Sequence, residues 1–123
     1  MRWTIFRLLF MITATVLTSC NSEDKIDGYK SNEIIVVTID IVDDFDIEKI
    51  TLTSTGGKDE ILGNKIEDRK NIKLKTPQLG EGTYTICIYT TTDTLCSQDS
   101  YIEAGYRPKL RLKNNKFETI EWN

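Results

Sequence analysis

Apolar and polar positions alternate with a period of two from residue 33 onward, and β-branched residues are frequent there. In residues 33–42 the alternation places Ile35, Val37 and Ile39 on one face. Ile34 and Val36 make the opposite face apolar as well at the start of this segment. This alternation is typical of strands, and a strand that is apolar on both faces is expected inside a packed sandwich. The segment is therefore predicted to be a buried strand.

Further strand-like segments follow at short intervals. They cover residues 47–55, 71–75, 83–90, 107–113 and 116–122. Gly56 and Gly57 suit a two-residue hairpin turn, which would set Leu52 opposite Ile61. No segment after the N-terminal region shows a helical stripe of apolar residues. We therefore predict an all-β fold, a single β-sandwich of about seven to eight short strands that covers residues 33–123.

A second hairpin turn is predicted at Asn114 and Asn115, because asparagine tolerates the left-handed conformation that such turns need. In the resulting register Arg111 faces Glu118 as an ion pair, and Leu112 faces Phe117 as an apolar pair.

The segment from Leu79 to Tyr84, with the sequence LGEGTY, precedes the strand at residues 83–90. It resembles the tyrosine corner of immunoglobulin-like Greek-key sandwiches, with Leu79, Gly82 and Tyr84 at the motif positions. The resemblance implies that the Tyr84 hydroxyl hydrogen-bonds to the backbone a few residues upstream and pins the loop that crosses between the sheets. A tyrosine that only packs in the core is the alternative.

Two cysteines, Cys87 and Cys96, lie on either side of Thr91 and Thr92. If the chain turns at these threonines, the cysteines face each other at a non-hydrogen-bonded position, where side chains approach most closely. A cross-strand disulfide is predicted for an oxidising compartment. A reactive thiol pair is the alternative, although the CxxC spacing is absent. A metal site would need further ligands, and the chain has no histidine.

The N-terminus has the layout of a secretory signal peptide. Arg2 and Arg7 supply positive charge, and residues 8–17 form a short apolar run. The run is about half as long as a helix that crosses a bilayer, which needs about 20 apolar residues. Residues 1–19 are therefore predicted to be an export signal.

Leu17, Thr18, Ser19 and Cys20 resemble the lipobox of bacterial lipoproteins, in which a cysteine follows an aliphatic residue and small residues. The resemblance implies cleavage before Cys20 and two or three acyl chains on Cys20, which hold a protein stably at a membrane. An ordinary secretory signal is the alternative. The lack of Asp after the cysteine and the early acidic residues resemble outer-membrane lipoproteins of Bacteroidota. Polar residues 20–32 are predicted to be the lipidated cysteine and a flexible tether.

Charge argues against nucleic acid as a partner. Removal of residues 1–19 takes away two of the 16 basic residues and none of the 19 acidic ones, which leaves a net charge of −5. An acidic chain is repelled by nucleic acid and by anionic surfaces. The basic residues between 107 and 113 are interpreted as a solvated outer face, with a site for an acidic partner as the alternative.

An acidic run contains Asp40, Asp43, Asp44 and Asp46. Clustered carboxylates suit calcium, but the EF-hand spacing is absent, so a solvated turn is the favoured interpretation. Without histidine, the Ser/His and Cys/His pairs of hydrolases and the common zinc sites are excluded. The sequence therefore predicts no catalytic residues, no metal and no cofactor.

Three function classes remain for a lipid-anchored protein of the outer membrane, on its periplasmic or surface side. The favoured one is a non-catalytic binding or accessory module for a protein or glycan. Tyr89, Tyr101 and Tyr106 are its candidate stacking platforms, or else they belong to the core. The alternatives are a protective or inhibitory lipoprotein, such as an immunity factor that binds one cognate protein, and a structural envelope component.

Overall fold

The computed structural model describes residues 24–122, and these residues form nine β-strands without an α-helix. The strands are β1 (Ile34–Ile41), β2 (Ile47–Ser54), β3 (Gly57–Leu62), β4 (Ile72–Pro77), β5 (Glu81–Thr90), β6 (Thr94–Cys96), β7 (Ser100–Glu103), β8 (Lys109–Lys113) and β9 (Lys116–Glu121). Short 3₁₀ helices at Ser31–Glu33 and Gly63–Lys65 precede β1 and follow β3. The all-β prediction is confirmed, with one or two more strands than expected.

The strands form two sheets. Sheet A has the order β4-β1-β8-β9, and sheet B has the order β3-β2-β5, with β6 and β7 both paired to β5. The chain passes between the sheets after β1, β3, β4 and β7, as connections in a Greek-key sandwich do. All strand pairs are antiparallel except β1 with β8, which are parallel.

The core lies between the two sheets. Its buried members alternate along the strands, as the period of two predicts. They include Ile35, Val37 and Ile39 from β1 and Leu52 and Ile86 from sheet B, all fully buried. Fourteen such residues form one cluster, and their removal from water is the main stabilising contribution of the fold.

The β8–β9 hairpin has the predicted register. Asn114 and Asn115 have φ values of 52° and 62°, and Leu112 faces Phe117. Arg111 also faces Glu118, but its Nε lies 3.2 Å from Asp40 Oδ2 on the other neighbouring strand. The predicted ion pair is therefore wrong, because β1 flanks β8 on the side opposite β9 and offers a carboxylate at the same level.

The β2–β3 hairpin turns one residue earlier than predicted. Ile61 faces Ile50 rather than Leu52, which shifts the pairing by two residues and keeps every side chain on its predicted face. A Cβ at Gly56 would overlap the carbonyl oxygen of Pro77. The close approach of the end of β4 thus requires glycine at position 56 and fixes the place of the turn.

At the corner before β5, the linking hydrogen bonds are made by a residue that the tyrosine-corner motif did not include. Tyr84 is buried, but its hydroxyl makes no hydrogen bond within the described residues, and Leu79 is exposed. Gln78 is buried, its Oε1 accepts from the Gly56 N–H at 3.1 Å, and its Nε2 donates to the Gly80 carbonyl at 3.2 Å. The hydrogen bond expected for a tyrosine corner is not formed, and the Gln78 amide links the loop to the β2–β3 turn instead.

The segment before β1 contacts the domain, although the sequence assigns it to a flexible tether. Asp24 lies 3.7 Å from the Lys73 ammonium. Arg107 donates to the carbonyl oxygens of Ser31 and Ile34 at 3.0 Å and 2.9 Å. Contacts with the strands therefore extend to residues before residue 33. Cys20 and residues 1–19, with the predicted signal and lipidation site, lie outside the described residues.

Candidate binding face

The outer side of sheet B is a polar surface that we call the threonine face. Because side chains alternate across a strand, the neighbours of the buried residues of β2 and β5 point outward. The face is made of Lys49, Thr51, Thr53, Thr83, Thr85, Cys87 and Tyr89, with Tyr101 and Glu103 from β7. Threonine suits such a surface, because its β-branched stem favours the strand while its hydroxyl meets water.

The two cysteines face each other on this surface, as predicted. Cys87 is paired with Cys96 in the β5–β6 register, and the sulfur atoms are at disulfide distance, 2.10 Å. The Cα atoms are 4.1 Å apart, as in a non-hydrogen-bonded pair. The Thr90 N–H donates to the Asp93 carbonyl at 2.8 Å, which closes the predicted turn. The pair holds the short edge strand β6 against β5.

Tyr89 borders a groove at one end of the threonine face. The groove has a volume of about 520 Å³ and runs between β2, β3 and β5. The Lys49 ammonium lies 4.8 Å from the centre of the Tyr89 ring, which is within the range of a cation–π contact. One face of the Tyr89 ring is thus in contact with the Lys49 ammonium. Hydroxyls of Thr51 and Thr53 line the groove beside it.

Tyr101 and Tyr106 form an aromatic pair at the other end of the face. Their ring centroids are 6.4 Å apart and their planes cross at 76°, the edge-to-face geometry that aromatic rings prefer. Tyr101 is 49% exposed, and its hydroxyl donates to the Glu103 carboxylate. Tyr106, which is partly buried against the core, therefore supports Tyr101 while a large part of Tyr101 meets solvent.

Carboxylates keep these tyrosines protonated. Hydrogen bonding to the Glu103 carboxylate raises the pKa of Tyr101 far above its ordinary value of 10.0, with smaller contributions from desolvation and from the charges of Glu103 and Glu81. The Glu103 carboxylate also raises the pKa of Tyr106, and hydrogen bonding is the largest cause. Desolvation by burial raises the pKa of Tyr84 in the core.

The two aromatic sites are far apart on one surface. Tyr101 is paired with Thr83, and Thr83 precedes Tyr89 by six residues along β5. At about 3.3 Å per residue, the sites are separated by about 20 Å. The three tyrosines named from the sequence therefore lie at two ends of the threonine face rather than in one cluster. A ligand that contacts both ends must be extended.

A second groove, of about 380 Å³, lies where the edge strands β3 and β4 meet the loop between them. Its lining combines Ile61, Ile66 and Ile72 with charged residues of the loop and contains no aromatic ring. For a ligand that stacks on an aromatic ring, this groove therefore offers no platform. The threonine face is the better candidate.

The acidic run is divided among separate partners. Asp43 accepts from the N–H groups of Asn114 and Asn115 at 2.9 Å and 2.8 Å, which caps the β8–β9 turn. Asp44 lies 3.7 Å from Arg69, and Asp40 pairs with Arg111. Within residues 24–122, no group of three or more acidic, cysteine or histidine side chains is arranged to hold a metal ion. The carboxylates of the run thus link the loop after β1 to the β8–β9 turn and to the loop between β3 and β4.

No helix in the described part of the chain is long and apolar enough to cross a bilayer. Comparison with protein-family models, with curated proteins and with solved structures finds no match for this chain.

Proposed function

We propose that this protein is a lipid-anchored, non-catalytic binding module of the outer membrane and that its threonine face binds an extended glycan. The lipid anchor is inferred from the lipobox-like residues ending at Cys20. The single observation that carries the choice of ligand is the placement of Tyr101, supported by Tyr106, on the same flat polar surface as Tyr89.

A pyranose ring matches this surface chemically. Its C–H groups pack against the face of an aromatic ring, and its hydroxyls need acceptors and donors around that ring. The Glu103 and Glu81 carboxylates are acceptors beside Tyr101, and the threonine hydroxyls between the two ends serve as both donors and acceptors. A neutral glycan also avoids the repulsion that an anionic ligand would meet from these carboxylates.

A protein partner fits this surface less well. The centre of a stable protein interface is rich in fully buried apolar and aromatic groups. Here the centre of the face is occupied by threonines and the disulfide, and the aromatic rings lie at the ends. The face therefore lacks the apolar centre on which such an interface depends.

The proposal is tested by binding of the mature protein to an array of bacterial and host glycans, with Tyr101→Ala as the variant. We expect the variant to lose about tenfold or more in affinity for the glycans that the wild type binds, because an aromatic contact contributes about 1 kcal/mol beyond the area it buries. Tyr29→Ala is the matched control, because Tyr29 is exposed but precedes β1 and lies off the face.

Equal loss in Tyr29→Ala, or no binding by the wild type to any glycan, would count against the glycan proposal. If the wild type binds no glycan, capture of protein partners from the cell envelope would test the protective and structural alternatives. The anchor is tested separately by the mass of the purified protein, which must show acyl chains on Cys20.

A further inference from the structure

The N-terminal segment leads away from the domain on the side of sheet A. The Asp24 carboxylate lies 3.7 Å from the ammonium of Lys73 on β4, and the Lys73 side chain points away from the core, since Ile72 and Leu74 on either side of it are buried. Residues 31–33 are fixed on the same sheet by Arg107, which donates to Ser31 and Ile34. The chain toward Cys20 therefore starts beside the outer side of sheet A.

The remaining chain to the lipidated position is short. Cys20 precedes Asp24 by four residues, and four extended residues span at most about 14 Å. Attachment through Cys20 thus holds Asp24 within this distance of the lipid anchor, and the contact between Asp24 and the Lys73 ammonium places the outer side of sheet A beside it. The domain therefore does not stand as far from the lipid surface as a free tether of twelve residues would allow.

The outer side of sheet A concentrates positive charge. We call it the lysine face; its outward residues are Lys73, Lys75, Lys109, Arg111, Lys113 and Lys116, with Asp40, Glu118 and Glu121 as the acidic members. Asp24 lies beside Lys73 as a further acidic member, so six basic and four acidic side chains give this face a net charge of +2 in a mature chain whose net charge is −5. The negative charge therefore lies elsewhere on the molecule.

We propose that the lysine face docks on the anionic lipid headgroups of the membrane that holds the acyl chains of Cys20. The proposal rests on the lipid anchor of the proposed function. The anchor keeps the face close to the lipid surface, and the attraction of lysine and arginine for anionic headgroups orients it. The threonine face, on the opposite side of the sandwich, then points away from the membrane toward its ligand. The overall acidity of the chain does not oppose this, because an interaction screened over about 10 Å is governed by the nearest charges.

The test uses the acylated protein in vesicles of phosphatidylcholine with phosphatidylglycerol and in vesicles of phosphatidylcholine alone. Lysines are labelled by an amine-reactive reagent and located by mass spectrometry. In the anionic vesicles we expect slow labelling of Lys113 and Lys116, which are exposed in the free domain, relative to Lys58, which is exposed on sheet B. Added salt, or the neutral vesicles, should abolish the difference.

A variant with Lys75→Gln and Lys109→Gln sharpens the test. We expect the ratio of docked to undocked protein, read from the protection of Lys113 and Lys116, to fall on the order of tenfold, since each basic residue near an anionic surface contributes separately. The matched control is Lys65→Gln with Lys70→Gln, which removes the same charge from the loop between β3 and β4. The control should keep the protection of the wild type.

Three results would overturn the proposal. Labelling of Lys113 and Lys116 as fast as that of Lys58, with Cys20 acylated, would refute the docking and leave the anchor intact. Equal protection in the neutral vesicles would refute its electrostatic basis. An unacylated Cys20 would refute the anchor itself, and with it the docking, while glycan binding by the threonine face would stand or fall by its own test.

Discussion

The two sheets share one core, but their outer sides differ. On sheet A, Ile34 and Val36 are buried although they alternate with the core residues of β1, and the N-terminal segment is fixed beside them by Arg107. On sheet B, the outward positions of β2 and β5 are threonines, a disulfide and a tyrosine at the groove. The strand pattern that is apolar on both faces at Ile34 and Val36 thus marked the end of sheet A that the N-terminal segment covers, and strict alternation marked an outer side that stays open.

The largest expected effect is a difference in stability between a variant on the outer side of sheet A and one on the outer side of sheet B. Ile34→Ala should lower the free energy of unfolding by about 3 kcal/mol, because it removes a fully buried side chain and leaves a cavity. Thr53→Ala is the matched control at an outward and exposed position of β2, and it should change stability by less than about 0.5 kcal/mol. Urea unfolding measures both. Similar losses in the two variants would mean that the outer sides do not differ in burial.

A smaller effect is expected from the disulfide of the threonine face. Replacement of both Cys87 and Cys96 by serine should lower the free energy of unfolding by about 2 to 3 kcal/mol, mainly because the unfolded chain regains the freedom that a short closed loop removes. Urea unfolding in the absence of reductant provides the comparison. Two reactive thiols in the native wild-type protein would show instead that the cysteines are not bonded.

The smallest effect concerns the protonation of the aromatic pair. The pKa of Tyr101 is raised in the folded state, so the folded protein holds this proton more tightly than the unfolded chain does. The associated stability is present below the ordinary pKa of 10.0 and is lost as the pH rises through the higher folded value. Glu103→Gln should lower the Tyr101 pKa, because it removes the carboxylate that accepts the hydrogen bond.

Ultraviolet absorbance of tyrosinate during alkaline titration measures this change. Glu60→Gln is the matched control, because Glu60 lies on β3 of the same sheet and contributes to neither tyrosine pKa. Unchanged titration in Glu103→Gln would contradict the assignment of Glu103 as the partner of Tyr101.

The sequence by itself determined what depends on neighbours along the chain. Alternation in residues 33–42 predicted β1, because the side chains of a strand point to opposite faces in turn. Asn114 and Asn115 predicted the β8–β9 register, because the turn needs two residues that accept positive φ. The spacing of Cys87 and Cys96 around a two-residue turn predicted their pairing for the same local reason.

Only the tertiary structure decided the features that join distant segments. Gln78 links the corner before β5 to the β2–β3 turn, and Gly56 fixes that turn because the end of β4 passes against it. Arg111 pairs with Asp40 rather than Glu118 because β8 lies parallel to β1. Partners of this kind are set by which strands become neighbours, and a pattern of period two specifies the face of a side chain but not the strand beside it.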